Sequence, residues 1–189
     1  MKKVYIAGDM LTKGSQMLRA KEREDIKSLG LPFYNPMDNK EINDKANAVQ
    51  EGLAERIVRQ DSDAIYSSDI LVIEPQPFAI GTCVELGQVK GRKDLAKEIV
   101  AIMEDPNLSN TEVIEHMQEL AERVIEQKVY PHYEDIRRFA GVTESEDRRS
   151  LGINQYVYGV CLDLTDGIGF YEWDEILEEL EGETNASRK

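Results

Sequence analysis

Three short apolar runs, each followed by a longer stretch of helical periodicity, constrain this chain more than any other feature in it. "KVYIAG" (3–8), "LPFYNP" (31–36) and "DILVIEP" (69–75) read as strands from their length and their glycine or proline borders. Between them, residues 15–29 and 48–67 carry helical spacing. The first has Met17, Leu18, Ala20, Ile26 and Leu29 as its apolar side and Gly30 as its stop. A strand–helix alternation of this kind calls for a parallel sheet with right-handed crossovers. Ligands of such sheets sit beyond the carboxyl ends of the strands. "AGDM", "NPMDN" and "EPQPFAIGT" therefore converge on one crevice.

The remainder extends the pattern and interrupts it once. Residues 93–127 read as two amphipathic helices around "DPNLSN", with Ser109 and Glu112 spaced as a capping box and Ile114, Met117, Ala121 and Val124 as the inward stripe. They look like a helical hairpin inserted into the α/β pattern, packed on the core or on a neighbouring subunit. "KVYPHYED" (128–135) and "GIGFY" (167–171) are expected as fourth and fifth strands, "LGINQYVYGVCL" (151–162) and "EWDEILEEL" as helices, and "GVTESEDRRS" as a polar loop. The expectation is a single domain over 1–189, α/β, with a five-stranded parallel sheet flanked by helices, an inserted hairpin at 93–127 and a disordered tail at 182–189.

Charge and cysteine content narrow the function. A formal net charge of −14 leaves no basic face for a nucleic-acid polymer, though it does not exclude single nucleosides or nucleotides. Apolar runs such as "ILVI" are far too short to span a bilayer, and "MKKVYIAG" runs into a strand without the apolar stretch of a signal peptide. Cys83 and Cys161 offer neither a disulfide framework nor a metal cluster. A cytoplasmic protein without a bound metal or cofactor is expected.

Two acids stand out. Thr82-Cys83-Val84-Glu85 fits a capping box, a common helix start. By its place on the crevice the same Glu85 is also a candidate for chemistry. Asp61 falls on the stripe Val49, Leu53, Ile57, Asp61, Ile65, otherwise apolar at steps of four. Either it faces water near the helix end, or it is a buried acid with a reason to be there. Tyr5, near the carboxyl end of the first strand, reads as a core tyrosine whose hydroxyl could reach the crevice. Asp69, before its strand, lies at the opposite end of the sheet.

"VYIAG", "RQDSDAIYSSDILVIEP", "GTCVELG" and "GINQYV" resemble, in order and spacing, the nucleoside 2-deoxyribosyltransferase family. The resemblance implies a flavodoxin-like, Rossmann-like fold. It also implies a cytoplasmic pentosyltransferase of nucleotide salvage that cleaves the N-glycosidic bond of a 2′-deoxynucleoside and passes the sugar to another base. Glu85 would be the nucleophile, Asp61 the second acid, and Tyr5 the group orienting the nucleophile. Gly8, Asp38, Lys40, Ala79, Gly81 and Asn154 would bind substrate. Asn154 matches a residue that reaches the sugar from a neighbouring subunit, which implies a homo-oligomer with shared sites.

Two positions depart from the family pattern. Ala79 stands where many transferases carry an aspartate on the base and related 5′-phosphate N-hydrolases a small hydroxyl residue. Lys40 stands where some transferases have a glutamine. Two alternatives therefore stay open: a deoxynucleoside (5′-phosphate) N-hydrolase using the same nucleophile, and a non-catalytic nucleotide-binding or sequestering module. A flavin or signalling domain gains nothing from Glu85 and Asp61.

Overall fold

The computed structural model describes residues 1–44, 47–132 and 153–186. They form two compact units, one of Met1–Glu85 with Tyr130–Lys189 and one of Leu86–Val129. The larger unit holds a parallel sheet flanked by helices. Strand β1 (Val4–Ala7) is buried at all four positions. Helix α1 (Lys13–Ser28) follows, capped by the Thr12 side chain. Strand β2 (Phe33–Tyr34) leads into a single 3-10 turn (Pro36–Asp38) and the short helix α2 (Lys40–Asn43). Helix α3 (Leu53–Tyr66) and strand β3 (Ile70–Ile73) complete the first half. The strands lie in the order β2-β1-β3, all parallel, with Tyr5 beside Tyr34 and Leu71. This part of the sheet agrees with a flavodoxin-like arrangement.

Beyond β3 come α4 (Ile80–Met103), α5 (Asn110–Ile125), α6 (Gln155–Leu164) and α7 (Trp173–Ala186). Helix α6 packs across α3. A Cβ at Gly159 would lie 2.4 Å from the Ala54 carbonyl oxygen, so only glycine allows the two backbones this approach. Ile57 and Val58 of α3 share a buried cluster with Ile42 and Tyr156, and Ala54 packs with Tyr158 and Leu162.

Several expectations need correction. Three strands, not five, are present among the described residues. Tyr171 makes only an isolated bridge to His132. Left-handed backbone at Asp166, Gly167 and Gly169 (φ 51°, 93° and 84°) breaks the extended path that "GIGFY" needs to form a strand. Residues 133–135 of the expected fourth strand, the loop 141–150 and residues 151–152 lie outside the described residues. The second helix begins at Leu53 rather than residue 48, after Gly52 at φ 62°, and Val49 is exposed. Helix α1 buries Ser15 and Arg19 while Met17 and Leu29 face outward, because an ion-pair network sits beneath it. Helix α7 runs through 182–186, the first part of the expected tail.

In the smaller unit the expected break near residue 93 is absent, since α4 is continuous from Ile80 to Met103. The box at Ser109 and Glu112 is present at the start of α5. The inward residues of α5 are Leu120 with the half-buried Val113 and Met117, spaced i, i+4, i+7, whereas Ile114 and Val124 are exposed. No helix among the described residues is long and apolar enough to cross a membrane.

Candidate active site

Two carboxylates are buried beside the sheet. Asp61 comes from the inward face of α3 and Glu85 from the second turn of α4, each only 5–6% exposed. Because α4 starts at Ile80, Thr82 and Glu85 both lie inside the helix, and the capping-box reading of this stretch fails. The Glu85 carboxylate instead accepts a 2.5 Å hydrogen bond from the Tyr5 hydroxyl. Asp61 Oδ1 accepts one of 3.1 Å from the Tyr34 hydroxyl. Tyr5 and Tyr34 are register partners on adjacent parallel strands, so they share one face of the sheet, and their rings stack 5.7 Å apart at 12°.

Burial governs the acidity of all four groups. It pushes Glu85 up to about 7 against the opposing hydrogen bond from Tyr5. It also pushes Asp61 up to about 7, with the negative charge of Glu85 adding to the rise and the Tyr34 hydrogen bond opposing it. Tyr5 is driven far upward by burial and then by the charges of Asp61 and Glu85, and Tyr34 is driven upward chiefly by burial. Both phenols therefore stay neutral donors. The like charges of the two acids oppose their joint ionisation near neutral pH. The shorter phenol bond favours the anion of Glu85 more than the longer one favours that of Asp61.

A cavity of about 190 Å³ opens onto the pair, bordered by Gly8, Asp61, Ala79, Gly81, Glu85 and Asn154. Tyr5 is fully buried and reaches the site through Glu85. Asn154 caps α6, its Oδ1 accepting from the backbone N–H groups of Tyr156 and Val157. It borders the cavity of the chain that carries Glu85. Asp38 and Lys40 are outside the cavity. Asp38 pairs with Arg23 at 2.7 Å, and Lys40 borders a separate surface hollow with Glu41 and Arg56. Among the described residues no group of His, Cys, Asp or Glu is arranged to hold a metal ion.

Three participants escaped the sequence reading. Tyr34 had a legible signal, its place at the carboxyl end of the second strand beside Tyr5. Asn39, which bonds Tyr34, lay in the crevice segment "NPMDN" without being singled out. Arg19 had none. Its buried guanidinium donates from Nη1 to the Ala7 carbonyl and from Nη2 to Glu22 and Glu74, all at 2.8 Å, tying the ends of β1 and β3 together. A Cβ at Gly8 would lie 1.4 Å from Arg19 Nη1, so glycine there makes room for the clamp.

The family model of the nucleoside 2-deoxyribosyltransferases matches residues 4–148. The chain belongs to that family. No curated protein and no solved structure matches it. For this nucleoside 2-deoxyribosyltransferase family member, membership brings pentosyl transfer on small nucleosides and bases as the general activity. The matched stretch contains Tyr5, Tyr34, Asp61 and Glu85. Asn154 lies beyond it and borders the same cavity.

Proposed function

We propose that the chain exchanges the base of a 2′-deoxynucleoside through a deoxyribosyl ester on Glu85. One oxygen of Glu85 is held by Tyr5, and the other attacks C1′ as the bond to the base breaks. The electron pair of that bond goes to the departing nitrogen, which takes the proton of Asp61. In the return half, a nitrogen of a second base attacks C1′, the ester bond breaks, Glu85 regains its carboxylate, and Asp61 recovers a proton from the incoming base. Two displacements on one carbon retain its configuration. Asn154, with its Oδ1 engaged in the helix cap, has its amide N–H groups to offer the sugar.

The observation that carries this reading is the pair of buried acids, each with its own phenol, facing one small cavity. Burial raises both acids to about 7, and the charge of Glu85 raises Asp61 while the short bond from Tyr5 opposes the rise of Glu85, an asymmetry that suits attack by Glu85 and base protonation by Asp61. The test is mass spectrometry after mixing the protein with a slow 2′-fluoro nucleoside. The expected result is a sugar adduct on the peptide containing Glu85; an unmodified Glu85 alongside measurable turnover would sink the covalent route.

Hydrolysis is the second reading, and Ala79 favours it, since this buried methyl gives an acceptor base no polar group to hold. Incubation of deoxyinosine with free adenine separates the two. Deoxyadenosine reports transfer, and free deoxyribose alone reports hydrolysis.

A further inference from the structure

The phenol on Asp61 belongs to a directed chain of hydrogen bonds. Asn39 caps α2 with its Oδ1, which accepts from the Glu41 N–H at 3.2 Å. That bond fixes the orientation of the amide, because the oxygen must face the N–H and the nitrogen must face the other way. Asn39 Nδ2 accordingly donates to the Tyr34 hydroxyl oxygen at 2.9 Å and to Gln60 Oε1 at 2.6 Å. Gln60 in turn donates from Nε2 to Glu41 at 2.8 Å. An amide nitrogen cannot accept, so the Tyr34 hydrogen must point elsewhere, and its acceptor is Asp61 Oδ1 at 3.1 Å. The polarity is settled from the helix cap inward.

We infer that Tyr34 is a positioning residue that fixes which oxygen of Asp61 carries the transferable proton. An oxygen already accepting the phenol hydrogen is the poorer place for the acid's own proton, so the proton resides on Oδ2. Asn39 enforces this by closing the alternative direction for the phenol. The inference rests on the reading of Asp61 as the acid that protonates the departing base. The titratable or charged groups around Asp61 are Tyr5 on β1, Tyr34 on β2, Glu85 on α4 and Tyr156 on α6, with Asp9 and Arg19 bordering the same cavity.

The test joins a carboxyl titration to a kinetic profile. In protein labelled with ¹³C at aspartate carboxyls, Tyr34→Phe removes the donor that favours the Asp61 anion. The Asp61 titration is expected to move upward by about one pH unit. The alkaline limb of kcat should move with it, because the acid must be protonated to act. The plateau of kcat is expected to fall on the order of tenfold or more, with KM little changed. Asn39→Ser keeps a capping side chain but removes the nitrogen that orients the phenol, and is expected to move the titration in the same direction by less.

If Tyr34→Phe keeps its fold and lowers kcat while titration and limb stay put, Tyr34 only packs and the inference is overturned. If Tyr34→Phe does not fold, an unmoved titration in Asn39→Ser overturns it equally. The titration needs no substrate. Absence of base exchange in the unaltered protein would therefore defeat the transferase reading while leaving the assignment of Tyr34's bond to Asp61 separately readable.

Discussion

The start of α5 and the start of α4 carry the same four-residue pattern, Ser-x-x-Glu at 109–112 and Thr-x-x-Glu at 82–85, and they end up in opposite states. At α5 the pattern does what the spacing suggests: Ser109 accepts from the Glu112 N–H, and Glu112 reaches back to the Ser109 N–H at 2.8 Å. Its carboxyl is exposed and held below its ordinary range by the Ser109 side chain. At α4 the helix begins two residues before Thr82, and Glu85 is buried, bonded to a tyrosine 80 residues away in sequence, and pushed upward by its surroundings. A glutamate's role here follows from what the sheet puts opposite it. Local spacing says nothing of that.

The sharpest way to break the contrast is to neutralise each glutamate. Glu85→Gln keeps the shape and can still accept from Tyr5, but it has no carboxylate to attack C1′. Loss of on the order of a thousandfold or more in kcat is expected, with an unchanged circular-dichroism spectrum. Glu112→Gln should leave kcat and KM where they are. Base exchange at a comparable rate in Glu85→Gln would place the chemistry on another group.

How far this difference could be read from the sequence depends on which contacts are local. The order of the first three strands and the helices between them was legible, because apolar period and glycine or proline borders are local signals. Asp61 was legible as an anomaly on an apolar stripe, although the helix beneath that stripe starts later than its spacing suggests. The partner of Glu85 was suggested only by the family resemblance, because the bond from Tyr5 depends on strand register and on the tilt of α4. Tyr34 and Asn39 were missed because their value lies in a chain of bonds spanning β2, α2 and α3. Arg19 broke the rule outright, since a guanidinium on the buried side of α1 is intelligible only once Gly8, Ala7 and Glu74 surround it.

A smaller effect sharpens the contrast through stability. A buried carboxyl whose pKa is raised binds its proton more tightly in the folded chain than in the unfolded one. Its unfavourable contribution is therefore absent below about pH 4.5, grows as pH rises, and is complete above about pH 7. For Glu85 the rise from 4.5 to about 7 corresponds to roughly 3 kcal/mol. Glu85→Gln should thus melt at a higher temperature than the unaltered protein at pH 8 and at nearly the same temperature at pH 4. Relief of Asp61 from its neighbour's charge acts in the same direction. Glu112, lowered rather than raised, should show no such gain on replacement by glutamine. Parallel melting curves for Glu85→Gln and the unaltered protein across pH 4–8 would mean that Glu85 titrates as an ordinary surface acid.

The smallest effect belongs to the box that is only a box. Ser109→Ala removes the acceptor for the Glu112 N–H and leaves the first turn of α5 with one more unsatisfied donor, a loss of about 1 kcal/mol for a capping serine. The loss should be local. Faster hydrogen exchange is expected at the backbone amides of Asn110–Val113, while amides of β1 and β3 exchange as before and kcat is unchanged. The measurement bears on the larger comparison because it asks whether the pattern stabilises a helix where its geometry is complete. Unaltered exchange at the start of α5 would mean that capping geometry contributes little even there, and the same four letters would then be weak support for a helix start anywhere in the chain.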